Sequence, residues 1–200
     1  MDITSLKDFF ILNNSYSLTA SDEVGAYFHK TIIRKNDFLL KEGSISDKYL
    51  LLGSGYMRAY AYDLNGDSVT TGFYAAGKTV FEVASWFNRQ PSTENIQAIT
   101  DCEGWYINYK DLTELSANLP AFREFTQSML VQGFMALKNN ALSLINESAE
   151  QRYSRLSETY PDICNNAPLK HIASFLGITD SSLSRIRKQA LHKAKASLSF

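Results

Sequence analysis

The stretch from Leu169 to Lys188 constrains what this chain can fold into more tightly than any other part of it. Ile172, Ala173, Phe175 and Leu176 give a short helix one apolar face, Gly177 permits a tight turn, and Ile178 fills the crease before a second helix. Thr179 is placed to cap that second helix. Leu183 and Ile186 then point inward at i, i+3 spacing, while Ser181, Ser182, Ser184, Arg185 and Lys188 fall on the outer face. Two helices hinged in this way form a helix-turn-helix. The outer face suits a DNA major groove: small hydroxyl residues at a helix start allow close approach to base edges, and an arginine one turn later reaches guanine or phosphate. A helical hairpin with a merely solvated basic face would share the pattern.

Charge is unevenly placed along the chain. The 200 residues carry a net charge of −1, which argues against a nonspecific nucleic-acid binder. Residues 167–200, however, hold Lys170, Arg185, Arg187, Lys188, Lys193 and Lys195 against Asp180 alone. A basic end on an acidic body is the electrostatic pattern of a DNA-facing module. With 44% hydrophobic and 12% aromatic residues, there is ample material for a packed core. No apolar run approaches the roughly 18 residues of a membrane span, and the polar amino terminus lacks a signal peptide's basic and apolar regions, so a cytoplasmic location without membrane contact is expected. Cys102 and Cys164 can build neither a disulfide framework nor a four-ligand metal centre, and read as reduced thiols.

From Phe28 to Asn108 the texture changes to β-branched and aromatic runs punctuated by glycine. Strands are predicted at Phe28–Ile33, Tyr49–Leu52, Tyr56–Leu64, Ser68–Tyr74, Asn95–Ile99 and Gly104–Asn108, with Asn65-Gly66 supplying a hairpin turn that needs positive φ. An antiparallel roll or barrel fits this pattern. Ile3–Leu12 and Ser21–Tyr27 look helical, the second opened by Thr19 or Ser21, and should pack as lids on the roll.

Pro120 opens the longest helical pattern, running to about Asn146, with Phe122, Phe125, Met129, Leu130, Phe134, Leu137, Ala141 and Leu144 on it. That is too much apolar surface for one side. One face would cover the roll and another would pair with its twin in a homodimer, whose twofold symmetry matches that of many DNA sites; a helix buried within a monomer is the alternative. Glu147–Tyr160 reads as one further helix ended by Pro161, and Asp162–Pro168 as a linker.

A roll, a long helix and a terminal helix-turn-helix in that order resemble the cyclic-AMP receptor/Fnr (Crp/Fnr) regulators over nearly the whole chain. Asp63–Gly66 leading to Gly77 is similar to the family's roll hairpins, Gly77–Asn108 to its phosphate-binding cassette, and Arg152 sits where the family often has arginine after the hinge. The resemblance implies an α+β fold: an N-terminal antiparallel β-roll of the jelly-roll, cyclic-nucleotide-binding-like type with flanking helices (1–119), a long dimerisation helix (120–147) and an all-α helix-turn-helix domain (148–200). It also implies a cytoplasmic, sequence-specific transcription regulator whose partners are double-stranded DNA, a second copy through the 120–146 helix, RNA polymerase if it activates, and a small-molecule effector if one exists. Ser181, Ser182 and Arg185 would read bases, with Thr179 and Ser184 beside them, and Lys170, Arg187 and Lys188 would hold phosphates.

The departures from the family concern the effector. Cyclic-AMP-binding members use a Gly-Glu pair for the ribose and an Arg-Ser/Thr-Ala run for the cyclic phosphate; the matching positions here are Phe81-Glu82 and Ser92-Thr93-Glu94. The glutamate is kept, the arginine has become Ser92, and a carboxylate follows. Losing a charge-paired arginine typically costs about 2–5 kcal/mol. The Thr-Ser pair that meets adenine is matched by Leu137-Lys138. Cyclic AMP is therefore not expected to bind in the usual manner, although Arg89 could supply a substitute cation. Phe73, Tyr74, Phe81, Val83 and Trp86 would line an apolar cavity for another small ligand or simply fill it.

The cysteines of an iron–sulfur sensor and the axial ligands of a haem sensor are missing, and His29, His171 and His192 have no metal-ligand spacing. No cofactor, metal or enzymatic activity is expected. The recognition helix begins Asp180-Ser181 where cyclic-AMP receptors have Arg-Glu, so a different operator is expected, and with little chain after Lys188 for a wing, further phosphate contacts would fall to Lys193 or Lys195. The second reading is a dimeric small-ligand-binding module with vestigial DNA binding, acting through a protein partner.

Overall fold

The computed structural model describes residues 3–20 and 22–197; the side chains of residues 20, 22, 23 and 191–197 lie outside the described set. Helix α1 spans Leu6–Leu12. It starts three residues later than its apolar pattern because Ser5 and Asp8 form a capping box, Ser5 Oγ accepting from the Asp8 amide and Asp8 from the Ser5 amide. A 3-10 turn, Tyr16–Ala20, precedes α2, Asp22–Ala26. Thr19 lies inside that turn, its hydroxyl donating to Tyr16 O. The other predicted cap, Ser21, falls outside the described residues.

Among the described residues eight strands follow: β1 His29–Ile33, β2 Phe38–Leu40, β3 Lys48–Ser54, β4 Tyr56–Tyr62, β5 Ser68–Ala75, β6 Thr79–Val80, β7 Asn95–Ala98 and β8 Cys102–Asn108. They form two antiparallel four-stranded sheets, ordered β1-β8-β3-β6 and β2-β7-β4-β5. Six of the eight coincide with predicted runs. β2 and β6 were not predicted, being too short to show an alternation. The β4–β5 connection is a loop rather than a two-residue turn: Asp63 Oδ1 accepts from the amides of Asn65 and Asp67, and Gly66 alone takes positive φ, at 85°.

Two short helices complete the roll, α3 Val83–Asn88 and α4 Tyr109–Asn118; neither was predicted. Helix α5, Pro120–Asn146, matches its predicted bounds, with proline at its first turn. Helix α6, Ala149–Thr159, opens on a second capping box, Ser148 with Gln151. The expected linker at Asp162–Pro168 is instead largely helical. Pro161 follows the end of α6, as expected, and also starts α7, Pro161–Asn166, whose Ile163 and Cys164 are buried. Helices α8, Leu169–Phe175, and α9, Asp180–Ser197, form the helix-turn-helix.

Three apolar cores are stacked through the molecule. The first lies between the helices and the outer face of the first sheet, where Phe9, Phe10, Phe122 and Phe125 pack against Tyr49, Leu51 and Ile107. The second lies between the sheets and is built by Leu50, Leu52, Met57, Ala59, Val80, Ile96 and Ala98. The third joins Ile163, Ile172, Leu176 and Leu183 of the C-terminal helices to Ile99, Tyr56 and Phe73 on the outer face of the second sheet. Among the described residues no helix is long and apolar enough to cross a membrane.

Gly55, at the β3–β4 turn, has φ of 84°, and a methyl group there would run into Asp101 O and sit 2.7 Å from Cys102 Sγ. Gly66, with φ of 85°, stands in open space. Gly55→Ala should therefore cost about 2–5 kcal/mol, strain and overpacking together, and Gly66→Ala only about 1–2 kcal/mol. Urea unfolding of the two variants reads the difference; equal losses would show that the Asp101–Cys102 wall yields freely.

Candidate nucleic-acid interface

The helix-turn-helix is built as its spacing requires. Ile172, Ala173, Leu176, Leu183 and Ile186 are buried, and Phe175 is half-buried against Phe73 with ring centroids 5.1 Å apart. Gly177 takes φ of 66°, which lets the chain reverse between α8 and α9. Thr179 Oγ1 accepts from the Ser182 amide at 3.3 Å, capping α9, and its hydroxyl is also within 3.0 Å of those of Ser181 and Ser182. Lys170, Thr179, Ser181, Ser184, Arg185 and Lys188 are exposed, and Ser182 is half-buried at the same edge. The hydroxyls and Arg185 thus share the outer face of α9 with Lys188. Arg187 differs: it is half-buried, and its charge lies close enough to Tyr153 and Cys164 to oppose the rise that burial gives their pKa values. The side chains of His192, Lys193 and Lys195 lie outside the described residues.

One position outside the motif, Arg152, joins it to the rest of the chain. Arg152 donates from Nε and Nη2 to Leu176 O at 3.2 and 2.8 Å, and from Nη1 to Glu147 O at 2.7 Å. It fastens the end of α8 to the junction between α5 and α6, satisfying carbonyls at two helix ends.

The residues expected around an effector cavity are scattered. Phe81 is half-buried and stacks on Tyr49 at 4.7 Å and Trp86 at 5.6 Å, so it fills the first core. Val83 is exposed, and Phe73 faces α8 on the far side of its sheet; neither lines the interior between the sheets. Glu82 caps α3, accepting from the amides of Ala84 and Ser85. Ser92 is buried, its hydroxyl donating to Glu94 O and accepting from the Glu94 amide, which uses it to close its own loop. Thr93 is exposed. Leu137 is 65% exposed and Lys138 is exposed as well, on a stretch of α5 where every residue from 131 to 139 faces outward.

Arg89 is engaged by other groups of the roll. It ends α3 in a left-handed conformation, pairs with Asp47 at 2.6 Å, donates to Ser46 O at 2.9 Å and lies over the Tyr109 ring. Within the roll the charge is negative. Burial, reinforced by Glu82, holds the Glu94 carboxyl above its ordinary pKa, and burial with both carboxylates pushes the Tyr74 hydroxyl up to about 12. Cys102 and Cys164 are free and buried, and burial raises the Cys102 thiol to about 11. Among the described residues no group of three or more His, Cys, Asp or Glu side chains could hold a metal ion.

Residues 30–118 match the cyclic nucleotide-binding domain family. No curated protein matches the chain in sequence. Among solved structures, it is similar to the c-di-GMP responsive global regulator CLP of Xanthomonas campestris, at 16% identity and TM-score 0.64, over 84% of this chain and 89% of that one. FixK2 from Bradyrhizobium japonicum aligns at 15% identity and TM-score 0.69, over 84% and 86%. A mutant form of CooA from Carboxydothermus hydrogenoformans aligns at 17% identity and TM-score 0.64, over 86% and 82%. Residues 30–118 thus resemble a cyclic nucleotide-binding domain, and the chain has the fold of solved transcription regulators, among them one of the crp/fnr family from Eubacterium rectale.

Proposed function

We propose that the chain is a homodimeric, sequence-specific DNA-binding transcription regulator of the Crp/Fnr type, controlled by an effector other than cyclic AMP or by none. The observation that carries this reading is the outer face of α9, where exposed Ser181, Ser184, Arg185 and Lys188 stand above a buried Leu183–Ile186 stripe. A face of short hydroxyls and one forward arginine fits base edges, and Lys170 and Lys188 flank it for phosphates. Half-buried Arg187 is better suited to steadying α9 against α6 and α7 than to reaching DNA. The organisation is a roll unit (1–119), a dimer helix (120–147) and a DNA-binding unit (148–200).

Two further features support the reading. Phe134, Met135, Leu137 and Ile145 leave α5 with an apolar surface, Ile145 82% exposed, that a second copy of the same helix would cover. In the roll, Ser92 is committed to its own loop and Glu94 stands beside Glu82, so a cyclic phosphate would meet negative charge where the cyclic-AMP receptors offer arginine.

Binding-site selection from random duplex DNA, with and without cyclic AMP or cyclic GMP, tests the reading directly. A palindromic site recovered equally in both conditions is expected; a site recovered only with nucleotide would overturn the effector assignment. Arg185→Ala should cost about 1–3 kcal/mol on that site and relax its specificity, whereas Lys188→Ala should weaken operator and random DNA alike and reduce the salt slope by about one. Equal losses on both DNAs for Arg185→Ala would assign that arginine to phosphate. Phe134→Asp should give a monomer by sedimentation and lower operator affinity at least tenfold, and an unchanged dimer would exclude α5 as the interface.

A further inference from the structure

A polar cavity of about 70 Å3 lies where the C-terminal helices meet the outer face of the second sheet, its walls including Lys35, Arg58, Gln97, Asn166 and His171. Arg58 comes from β4, Gln97 from β7, Asn166 from the end of α7 and His171 from α8. No carboxylate lines it.

Arg58 is only 4% exposed. Its guanidinium stacks 4.0 Å from the Tyr60 ring, and Nη1 makes one long bond, 3.4 Å, to Thr70 Oγ1. Its Nε has no protein partner, and among the described residues no Asp or Glu is paired with it. Asp162, the carboxylate that α7 brings to this face, is engaged by the Tyr56 hydroxyl. His171 Nδ1 is likewise buried without a partner. Burial, with Arg58 and Lys170 nearby, lowers the His171 pKa to about 4, so the ring is neutral at pH 7 and can donate one proton without adding charge. A buried cation lacking a counter-charge is a costly arrangement, and opposite charge relieves it where a neutral partner does not.

We infer that this cavity binds a small oxyanion the size of one phosphate group, held by Arg58 from the roll and His171 from the helix-turn-helix, with Lys35 at the rim. The planar guanidinium suits a phosphate or carboxylate. A volume of about 70 Å3 is far short of a nucleotide, so the occupant is a free anion or the phosphate end of a molecule that extends outward. Because its walls come from both halves of the chain, the anion ties the helix-turn-helix to the sheet. Any effect on DNA affinity rests on the regulator reading above; binding of the anion does not.

The test is thermal unfolding and titration calorimetry of the full chain with orthophosphate, methyl phosphate and acetate at constant ionic strength. A saturable rise in Tm with either phosphate is expected, roughly 5–10 °C at a hundredfold excess over Kd. The tighter of the two distinguishes a free anion from an esterified one. Arg58→Met should abolish the response, and exposed Arg123→Gln should keep it. Lys35→Gln, on the exposed rim, carries the test if Arg58→Met fails to fold, and should weaken phosphate several-fold. A wild-type protein with no saturable response to phosphate, a response to acetate alone, or full responses in both Arg58→Met and Lys35→Gln would overturn the assignment.

Discussion

Strands β3 and β4 are buried on both faces, and the layering of the molecule depends on that. In β3, Tyr49 and Leu51 pack under the helical cap while Leu50 and Leu52 enter the space between the sheets. In β4, Met57 and Ala59 enter the same space while Tyr56, Arg58 and Tyr60 turn the other way, toward or beside the C-terminal helices. An antiparallel sheet ordinarily keeps one face for solvent. Here neither central strand does, so each sheet needs a cover, and the cover of the second is the helix-turn-helix. Burying an aromatic or aliphatic side chain is worth about 1.5–3 kcal/mol, and the docked face of the second sheet commits Tyr56, Phe73 and Ile99 to this layer.

That cover is held by polar contacts as well as apolar ones. Across a sequence separation of 104 residues, the Thr70 amide donates to Ser174 Oγ at 3.2 Å and the two hydroxyls lie 3.1 Å apart, and beside them the Phe73 and Phe175 rings meet edge to face. Hydrogen bonds of this kind contribute about 0.5–1.5 kcal/mol net. The seam between sheet and helix-turn-helix thus includes polar contacts of modest individual strength, and Arg152, binding carbonyls of both Glu147 and Leu176, ties the end of α8 to the junction between α5 and α6. Under the regulator reading, an effector acts by preferring one state of this seam over the other.

Most of the elements were legible because their local chemistry agrees with their packing. Gly177, Thr179, Leu183 and Ile186 each do what their spacing requires, and Pro120 opens α5 as proline at a first turn should. The failures have physical causes. Pro161 carries the same signal as Pro120 but follows a helix so closely that it reads only as a terminator. Phe73 and Tyr74 read from the sequence as walls of one cavity, but neighbours on a strand face opposite ways, so Tyr74 packs between the sheets and Phe73 faces α8. Tyr60 pairs with Thr70 and Ala59 with Gly72, leaving Thr71 extra, so Thr70 and Phe73 share the outer face despite an odd separation. The cap and loop roles of Glu82 and Ser92 depend on contacts that a pattern of residue types does not encode, and Leu137 and Lys138 are exposed because α5 leaves its roll after Met129.

The two faces of the second sheet have opposite electrostatics, and this bears on how such a fold can respond to anions. On the inner side, Glu94 just before β7 and Glu82 at the start of α3 place carboxyls around Tyr74. On the outer side, Arg58 of β4 sits beside Gln97 of β7 at the register where those strands pair, with Lys35 and His171 around it and no acid among them. Side chains alternate across a strand, so a single sheet can carry both environments one residue apart. Among the described residues, carboxyls thus stand on the inner face while Arg58, without a paired acid, stands on the outer one beside His171 of α8. A ligand bound there would act on the seam itself, without first having to deform the roll.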